Sequence, residues 1–336
     1  MKIVECVPNF SEGKDLDKIR AIVKEVESTQ EVKLLGVEPN PDYNRTVVTF
    51  AGTPSGVKEA ARRAIARAGE LIDMSKHTGS HPRIGATDVV PFVPIREVTM
   101  EECVRLAVGL AEEVGDALGI PVYLYREAAR TSERRELANI RRGEYESLAE
   151  KLSRERPDFG PCEFNERVRR TGATVIGARK LLIAYNVDLS TPELAIANKI
   201  SGRVRETGIV KKEDGSKRTP GLLKQVQAMG VRLGAGITQV SMNLLDYEIT
   251  PPHVALEAVR REARTLGVEV LSSEIVGLVS LEPILMAGRF YIGSRGTLQR
   301  ATTEDELLKT ATKGLALRDF EPEKKVIEYA LGLSRD

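Results

Sequence analysis

The apolar positions along the first half of the chain alternate between strand-like and helix-like spacing. Runs of branched and aromatic residues predict strands over 2–8, 32–38, 45–51, 88–95 and 121–125. Apolar residues at helical spacing, preceded by capping residues, predict helices over about 15–27, from Thr53 and Pro54 to Met74, and from Thr99 to Leu118. The two prolines within 88–95 favour an edge or bulged strand.

The second half repeats this mixture after an irregular, basic stretch at 157–172. The charged sequence between 125 and Pro157 is predicted to be helical, and 208–220 to be an exposed, mobile loop. We predict one or two strands in 174–189, further strands at 222–231, 237–245 and 268–272, helices from Thr191 and Pro192, from Thr250 to Leu266 and over 281–291, and two short C-terminal helices. The chain is therefore predicted to be an α/β protein with subdomains at 1–172 and 173–336.

Charge and composition exclude several classes of protein. Lys plus Arg total 50 and Asp plus Glu total 49, so the net charge is +1 and gives no general attraction to nucleic acid or to anionic lipid. No apolar run reaches the length of a membrane helix, and the N-terminus has no signal-peptide pattern, so we expect a soluble, cytoplasmic protein. The three cysteines have no C-x-x-C spacing. His77 and His81 stand four apart but lack the acidic partner of a helical zinc motif, so no metal is predicted.

Candidate chemistry lies in the loop at 76–87. His81 stands between Gly79 and Pro82, free of helical packing, where an imidazole can titrate near neutrality and move protons. The alternative is a surface histidine beside a turn. Arg83 could hold an anionic group in its planar fork. The presence of a histidine at position 77 is sufficiently explained by a favourable interaction with the dipole at the end of the preceding helix.

Two further groups of polar residues could meet that loop. Glu38 ends one predicted strand and Arg45 begins the next, and strand ends are where α/β proteins usually bind ligands. The alternative for this segment is that Asp42 and Asn44 merely make the turn. The basic run 167–170 could receive carboxylates or could be a solvated face.

Several long motifs resemble the formiminotransferase family, which in animals forms the first half of formiminotransferase-cyclodeaminase. They include VECVPNFSEG (4–13), LIDMSKHTGSHPRIGATDVVPFVPI (71–95), IPVYLYREAA (120–129), PDFGP (157–161) and QVSMNLLDYEIT (239–250). The resemblance covers essentially the whole chain. It implies two α/β subdomains whose mixed sheets face each other across a folate-binding tunnel, assembled as a homodimer. It also implies transfer of a formimino group from N-formimino-L-glutamate to N5 of tetrahydrofolate, the co-substrate, without a metal, nucleic acid or membrane partner.

The resemblance also assigns site residues. The catalytic histidine of the family falls on His81, and an assisting acid falls on Glu38, where the better-known pattern has Asp. Arg45 and Arg83 are the candidate anchors for substrate carboxylates. The family's folate-binding segment maps to Gly160, Pro161, Cys162, Glu163, Phe164, Asn165, Glu166, Arg167, Val168, Arg169, Arg170, Thr171 and Gly172.

Three alternatives remain at this point. The chain could bind or sequester folate without efficient transfer, and the Glu38 departure leaves room for this. It could instead handle 5-formyltetrahydrofolate, since a formyl oxygen and a formimino nitrogen differ by one donor. A nucleic-acid role is the third, although neither the charge nor any aromatic stacking motif supports it.

Overall fold

The chain folds into two units, Met1–Lys180 and Leu181–Asp336, each with its own β-sheet. The computed structural model describes residues 1–210, 218–233, 236–293 and 303–333. The predicted α/β class is confirmed, because helices and strands alternate in both units. No helix in these described ranges has both the length and the hydropathy that a bilayer-spanning helix requires.

The sheet of the first unit is mixed and has seven strands. They are β1 (Ile3–Cys6), β2 (Asn9–Phe10), β3 (Val32–Asn40), β4 (Arg45–Gly52), β5 (Thr87–Arg96), β6 (Val122–Arg126) and β7 (Thr174–Ala178). β1 and β2 lie end to end between β4 and β5 and together occupy one strand position of the sheet. The strand order is therefore β3-β4-β1/β2-β5-β7-β6. The pairings are antiparallel up to β5, and β5, β7 and β6 are parallel.

Three amphipathic helices cover one face of this sheet: α1 (Leu16–Glu27), α2 (Pro54–Leu71) and α3 (Met100–Leu118). Side chains of Asp15 and Thr53 cap α1 and α2, and the predicted capping box of Thr99 and Glu102 is formed at α3. Alternate residues of the same strands, such as Tyr123 and Val175, point into a smaller apolar cluster on the other face.

β5 is an internal strand, so the edge position favoured by its two prolines is wrong. The bulged course is found, since the register of β5 shifts where β1 and β2 pair with it. Pro91 lies opposite Gly177 of β7, and its carbonyl accepts a hydrogen bond from Val7 at 3.4 Å. The missing N–H groups are therefore accommodated by irregular pairing.

The segment from 127 to 172 is less regular than predicted in one part and more regular in another. The charged stretch holds only short pieces, including α4 (Leu137–Ile140) and α5 (Leu148–Arg154). The basic loop at 157–172 contains a helix, α6 (Glu166–Thr171), because Asn165 caps its first turn and Val168 and Thr171 are buried.

The second unit contains a four-stranded antiparallel sheet in the order β11-β12-β8-β13. Its described strands are β8 (Ile183–Leu189), β9 (Ile209–Val210), β10 (Arg218–Thr219), β11 (Val226–Arg232), β12 (Thr238–Leu244) and β13 (Val270–Val276), with β9 and β10 pairing separately. Its described helices are α7 (Leu194–Val204), α8 (Pro252–Thr265), α9 (Leu281–Gly293), α10 (Glu304–Gly314), α11 (Pro322–Lys325) and α12 (Ile327–Ala330). Alternate residues of β8 are fully buried, including Tyr185, whose hydroxyl donates to Ser273 Oγ at 3.0 Å.

Four details of the second half bear on the sequence-based prediction, and two of them, the start of α7 and the bounds of the strand after residue 267, differ from it. The apolar run 174–189 forms two strands in different sheets. Thr191 does not cap α7: its hydroxyl accepts from Glu193 N at 3.2 Å in a local turn, and the helix begins at Leu194. The strand predicted at 268–272 runs over Val270–Val276. Of the loop predicted at 208–220, residues 211–217 lie outside the described residues.

The boundary between the units lies after Lys180, C-terminal to the predicted division after residue 172. The reason is β7, which pairs in parallel with both β5 and β6 and so belongs to the first sheet.

Candidate functional site

The loop before β5 is fixed by the side chain of Asn44. Asn44 Nδ2 donates to the Thr78 carbonyl at 2.9 Å, and its Oδ1 accepts from Gly13 N at 2.9 Å. Asn44 has a φ of 49°, in the left-handed region that asparagine tolerates better than most residues. A Cβ on Gly79 would lie 2.4 Å from the Tyr43 carbonyl oxygen, so this position requires glycine. The turn at 41–44 therefore holds the loop that contains His81.

His81 presents one ring nitrogen for proton transfer. Its Nδ1 lies 2.8 Å from the Pro82 carbonyl oxygen, which can only accept, so Nδ1 bears the proton and Nε2 keeps its lone pair. The ring lies 5.8 Å from that of Tyr43, tilted by 58°. Burial lowers the pKa of His81, and the charges of Arg45 and Arg141 lower it further against the opposing Pro82 carbonyl and Asp88. The imidazole is therefore neutral near pH 7.

His77 has a positioning role in the same loop. Its Nε2 donates to the Asn44 carbonyl at 3.0 Å, and its Nδ1 accepts from Arg83 Nε at 3.3 Å. Burial is the main cause that lowers its pKa. Hydrogen bonds to both ring nitrogens explain this residue better than a helix dipole, because the helix before it is a three-residue 3-10 turn.

Arg83 is already paired. Its side chain is 7% exposed, and its guanidinium contacts Glu144 at 2.8 Å and Glu146 at 2.6 Å. These three residues and His77 line part of an open cavity of about 500 Å³. A substrate carboxylate would have to compete with both glutamates, so the anchoring role of Arg83 stays a prediction.

Arg45 contrasts with Arg83 because its guanidinium makes no hydrogen bond or ion pair with any described residue, and its Nε is buried without a partner. Burial lowers the pKa of Arg45, against the charges of Asp88 and Glu38. Glu38 lies on the same β3–β4 hairpin and is exposed. Within the described residues it makes no hydrogen bond to His81, so its assisting role also stays a prediction.

Sequence reasoning missed the buried pair of Asp88 and Arg141. Asp88 is 1% exposed, its Oδ1 accepts from Ile84 N at 3.0 Å, and its Oδ2 binds Arg141 Nη2. The signal available in the sequence was Asp88 itself, a carboxylate at the start of the apolar run DVVPFVPI. A carboxylate in such a run is expected to be buried, and a buried charge is rarely found without a partner.

The predicted folate-binding segment, 160–172, packs against the end of the His81 loop. The Thr171 carbonyl accepts from Ala86 N at 2.7 Å, and Ala173 N donates to the Ile84 carbonyl at 2.9 Å. Gly172 has a φ of 67°, and a Cβ there would lie 2.2 Å from the Ile84 oxygen.

The middle of this segment, residues 162–167, is exposed. The Phe164 ring lies 6.3 Å from that of Tyr145. Two of the basic side chains have partners within the unit: Arg169 pairs with Glu166 at 2.5 Å, and Arg167 Nε donates to the Leu118 carbonyl at 3.1 Å. The structure thus joins the segment to the His81 loop through its backbone, while its role in binding folate stays a prediction.

Two other features bear on ligand binding. Among the residues that the structure describes, no three His, Cys, Asp or Glu side chains come together as a metal-binding group. A larger cavity of about 810 Å³ lies in the second unit, beside α10 and Arg318, and none of the predicted site residues line it.

Two consecutive family models match the chain. The model of the formiminotransferase domain, N-terminal subdomain, matches residues 3–179, and that of the formiminotransferase domain matches 184–332. The glutamate formimidoyltransferase of Thermoplasma acidophilum is 43% identical over 93% of this chain and 99% of its own length. The one from Streptococcus pyogenes serotype M1 is 39% identical over 87% of this chain and 93% of its own length.

The formimidoyltransferase-cyclodeaminase of Sus scrofa is 46% identical over 98% of this chain, and the chain spans 60% of the length of that relative. These matches confirm the resemblance seen in the motifs. Because the matched segments account for most of the residues, and two relatives are covered almost end to end, this chain belongs to the formiminotransferase family.

Proposed function

We propose that this protein is a glutamate formimidoyltransferase, which moves the formimino group of N-formimino-L-glutamate to N5 of tetrahydrofolate. The observation that supports this most is His81, a neutral imidazole with a free Nε2 on a loop fixed by Asn44. The similarity to two glutamate formimidoyltransferases, whose name gives the same activity, supports the choice of substrates.

The transfer needs one group that first accepts and then donates a proton. When N5 of tetrahydrofolate attacks the formimino carbon, that nitrogen becomes cationic, and His81 Nε2 accepts its proton. The imidazolium then protonates the glutamate nitrogen as the bond between this nitrogen and the formimino carbon breaks. In this proposal Glu38 stabilises the imidazolium, and segment 160–172 binds the folate. Holding both substrates in place supplies the remaining acceleration.

The finer points of the proposal are that tetrahydrofolate is a co-substrate used without a metal, that the enzyme is a homodimer, and that it acts in the cytoplasm. The family membership supports the first two. Sedimentation of the purified chain at several concentrations tests the dimer, and a mass that stays that of one chain contradicts it.

The proposed activity is tested by incubating the chain with tetrahydrofolate and either N-formimino-L-glutamate or a formyl donor. We expect a folate product whose mass increases by one formimino group, together with stoichiometric glutamate. Folate binding without transfer from either donor would support the sequestering alternative. Turnover only with the formyl donor, giving 5-formyltetrahydrofolate, would support formyl transfer.

The pH dependence of kcat/KM tests the assignment of the base, because this quantity reports the free enzyme. Burial, Arg45 and Arg141 lower the pKa of His81, so the neutral form accumulates as pH rises through a value below the ordinary 6.5. We therefore expect kcat/KM to rise along an acid limb with its midpoint below pH 6.5 and then to level off. Removing one nearby cation, in Arg45→Gln, should move this midpoint upward. A wild-type midpoint above 6.5, or one that Arg45→Gln does not move, contradicts the assignment.

A further inference from the structure

Arg45 is a cation without a direct ion-pair partner. The residue is partly buried, its Nε is buried without a hydrogen-bond partner, and no described residue forms an ion pair with it. A buried, unpaired cation destabilises a fold, so such a group is rarely found outside a binding site. Glu38 on the neighbouring strand is exposed and leaves this guanidinium unbridged.

Arg141 lies at the same place and is fixed by a buried acid. Asp88 binds Arg141 Nη2 with one oxygen and the Ile84 amide with the other, and within the described residues it makes no hydrogen bond to Arg45. Arg141 is 14% exposed, and its own Nε is also buried without a partner. Asp88 thus compensates Arg141 through a direct ion pair, while Arg45 is attracted by Asp88 and Glu38 without an ion pair to either.

Strand pairing brings these groups to the His81 loop. Arg45 begins β4, and its neighbour Thr46 pairs with Phe10 of β2, which in turn pairs with Thr87, the residue before Asp88. Arg45 also follows Asn44 and Tyr43, which contact the loop and the His81 ring. The charges of Arg45, Arg141 and Asp88 all act on His81, which agrees with this placement.

We propose that Arg45 and Arg141 form one carboxylate-binding subsite beside His81, in which Asp88 is the positioning residue that holds Arg141. This inference rests on the proposed function for its ligand, a carboxylate of the glutamate moiety of the formimino donor. An incoming carboxylate neutralises Arg45 and accepts charge-assisted hydrogen bonds from planar guanidiniums.

Both substrates contain glutamate carboxylates, and the two substrates differ in how far these carboxylates lie from the reacting nitrogen. In the donor the carboxylates lie a few bonds from the nitrogen that His81 protonates. In tetrahydrofolate the p-aminobenzoyl group separates N5 from the glutamate tail. A carboxylate subsite next to the catalytic imidazole therefore fits the donor and the glutamate product.

The test combines binding and stability of Arg45→Gln and Arg141→Lys, with Arg142→Gln as control. Arg142 is exposed, and among the described residues its side chain bonds only Asn139 Oδ1, at 3.0 Å, within the same turn. Calorimetric titration with L-glutamate, which needs no turnover, should show roughly ten- to a hundredfold weaker binding for Arg45→Gln and Arg141→Lys. The KM for the donor should rise equally, while the KM for tetrahydrofolate and for its tailless tetrahydropteroate analogue stays unchanged.

The thermal stability of Arg45→Gln provides a second measurement, which is expected to change in the opposite direction to glutamate affinity. Because it removes a partly buried cation that has no ion-pair partner, its Tm should rise above that of the wild type while glutamate binding weakens. A merely structural arginine would lower the Tm on replacement. Unchanged glutamate affinity in both variants overturns the proposal even if transfer is robust. A rise of KM for tetrahydrofolate that vanishes with the tailless analogue reassigns the subsite to the folate tail and also overturns it. If the wild type binds glutamate through these two arginines but never transfers a formimino group, the proposed function is rejected and the subsite is retained.

Discussion

Replacing His81 by glutamine is expected to lower kcat for formimino transfer by roughly 10²- to 10⁴-fold, the usual contribution of a general acid–base group. Glutamine keeps a polar side chain of similar size but cannot accept a proton and then return it. The His81 Nε2 makes no hydrogen bond within the described residues, so the fold loses little support and the Tm should stay close to that of the wild type. Steady-state kinetics, folate binding and thermal unfolding measured on one preparation separate these effects.

The control for this substitution is His253→Gln. His253 stacks on Phe290 at 4.6 Å between ring centroids and has no proposed part in transfer, so kcat should be unchanged. His81→Ala provides a further check, because added imidazole should restore part of its activity if proton transfer is the missing step. A His81→Gln variant that retains wild-type kcat would eliminate His81 as the base.

Gly172→Ala is expected to reduce the free energy of unfolding by about 3–5 kcal/mol and to lower activity in the remaining folded protein. Gly172 combines a φ of 67° with a ψ of −154°, a region accessible almost only to glycine. A new Cβ would also meet the Ile84 carbonyl at 2.2 Å and Gly85 Cα at 2.5 Å. To relieve that contact, the backbone at the end of the His81 loop has to move. Chemical denaturation and kcat at a temperature well below unfolding test both parts.

Gly267→Ala separates the two causes. Gly267 also has a positive φ, 70°, but no atom lies within 4 Å of its Cβ position. This variant should lose only about 1 kcal/mol from backbone strain and keep its kcat. Equal losses in the two alanine variants would show that contact with the His81 loop does not matter.

Most regular elements of the first unit were predictable because their signals are local. Asp15, Thr53 and Thr99 mark helix starts with side chains that bond the first backbone amides, and those bonds are present. Where a capping residue is used for something else, the prediction failed: the hydroxyl of Thr191 serves a turn before α7. The internal position of β5 depends on β7, more than seventy residues later, which no local pattern contains.

In the candidate site, too, local sequence signals indicated one residue and missed the partners that only the fold brings together. His81 could be chosen as a candidate because an irregular loop with glycine and proline leaves a histidine free of helical packing, and the family motif indicated the same residue. The partners of the site could not: Arg83 and Arg45 look alike in sequence, and only the fold pairs one with Glu144 and Glu146 and leaves the other unpaired. Arg141 was equally hidden, because its partner Asp88 is distant in the chain.

The three contacts of Asn44 have a consequence for how variants of this protein combine. Its amide joins the turn at 41–44 both to Gly13 and to Thr78, and its carbonyl accepts from His77. Segments tied at a single residue share the effect of any change there. The effects of substitutions at Gly13, Asn44 and His77 on stability should therefore be strongly non-additive. The first substitution already loses most of the stabilisation that the other two would lose. A chimaera in which these three segments come from parents that differ at residues 13, 44 and 77 is therefore expected to lose the contacts of Asn44.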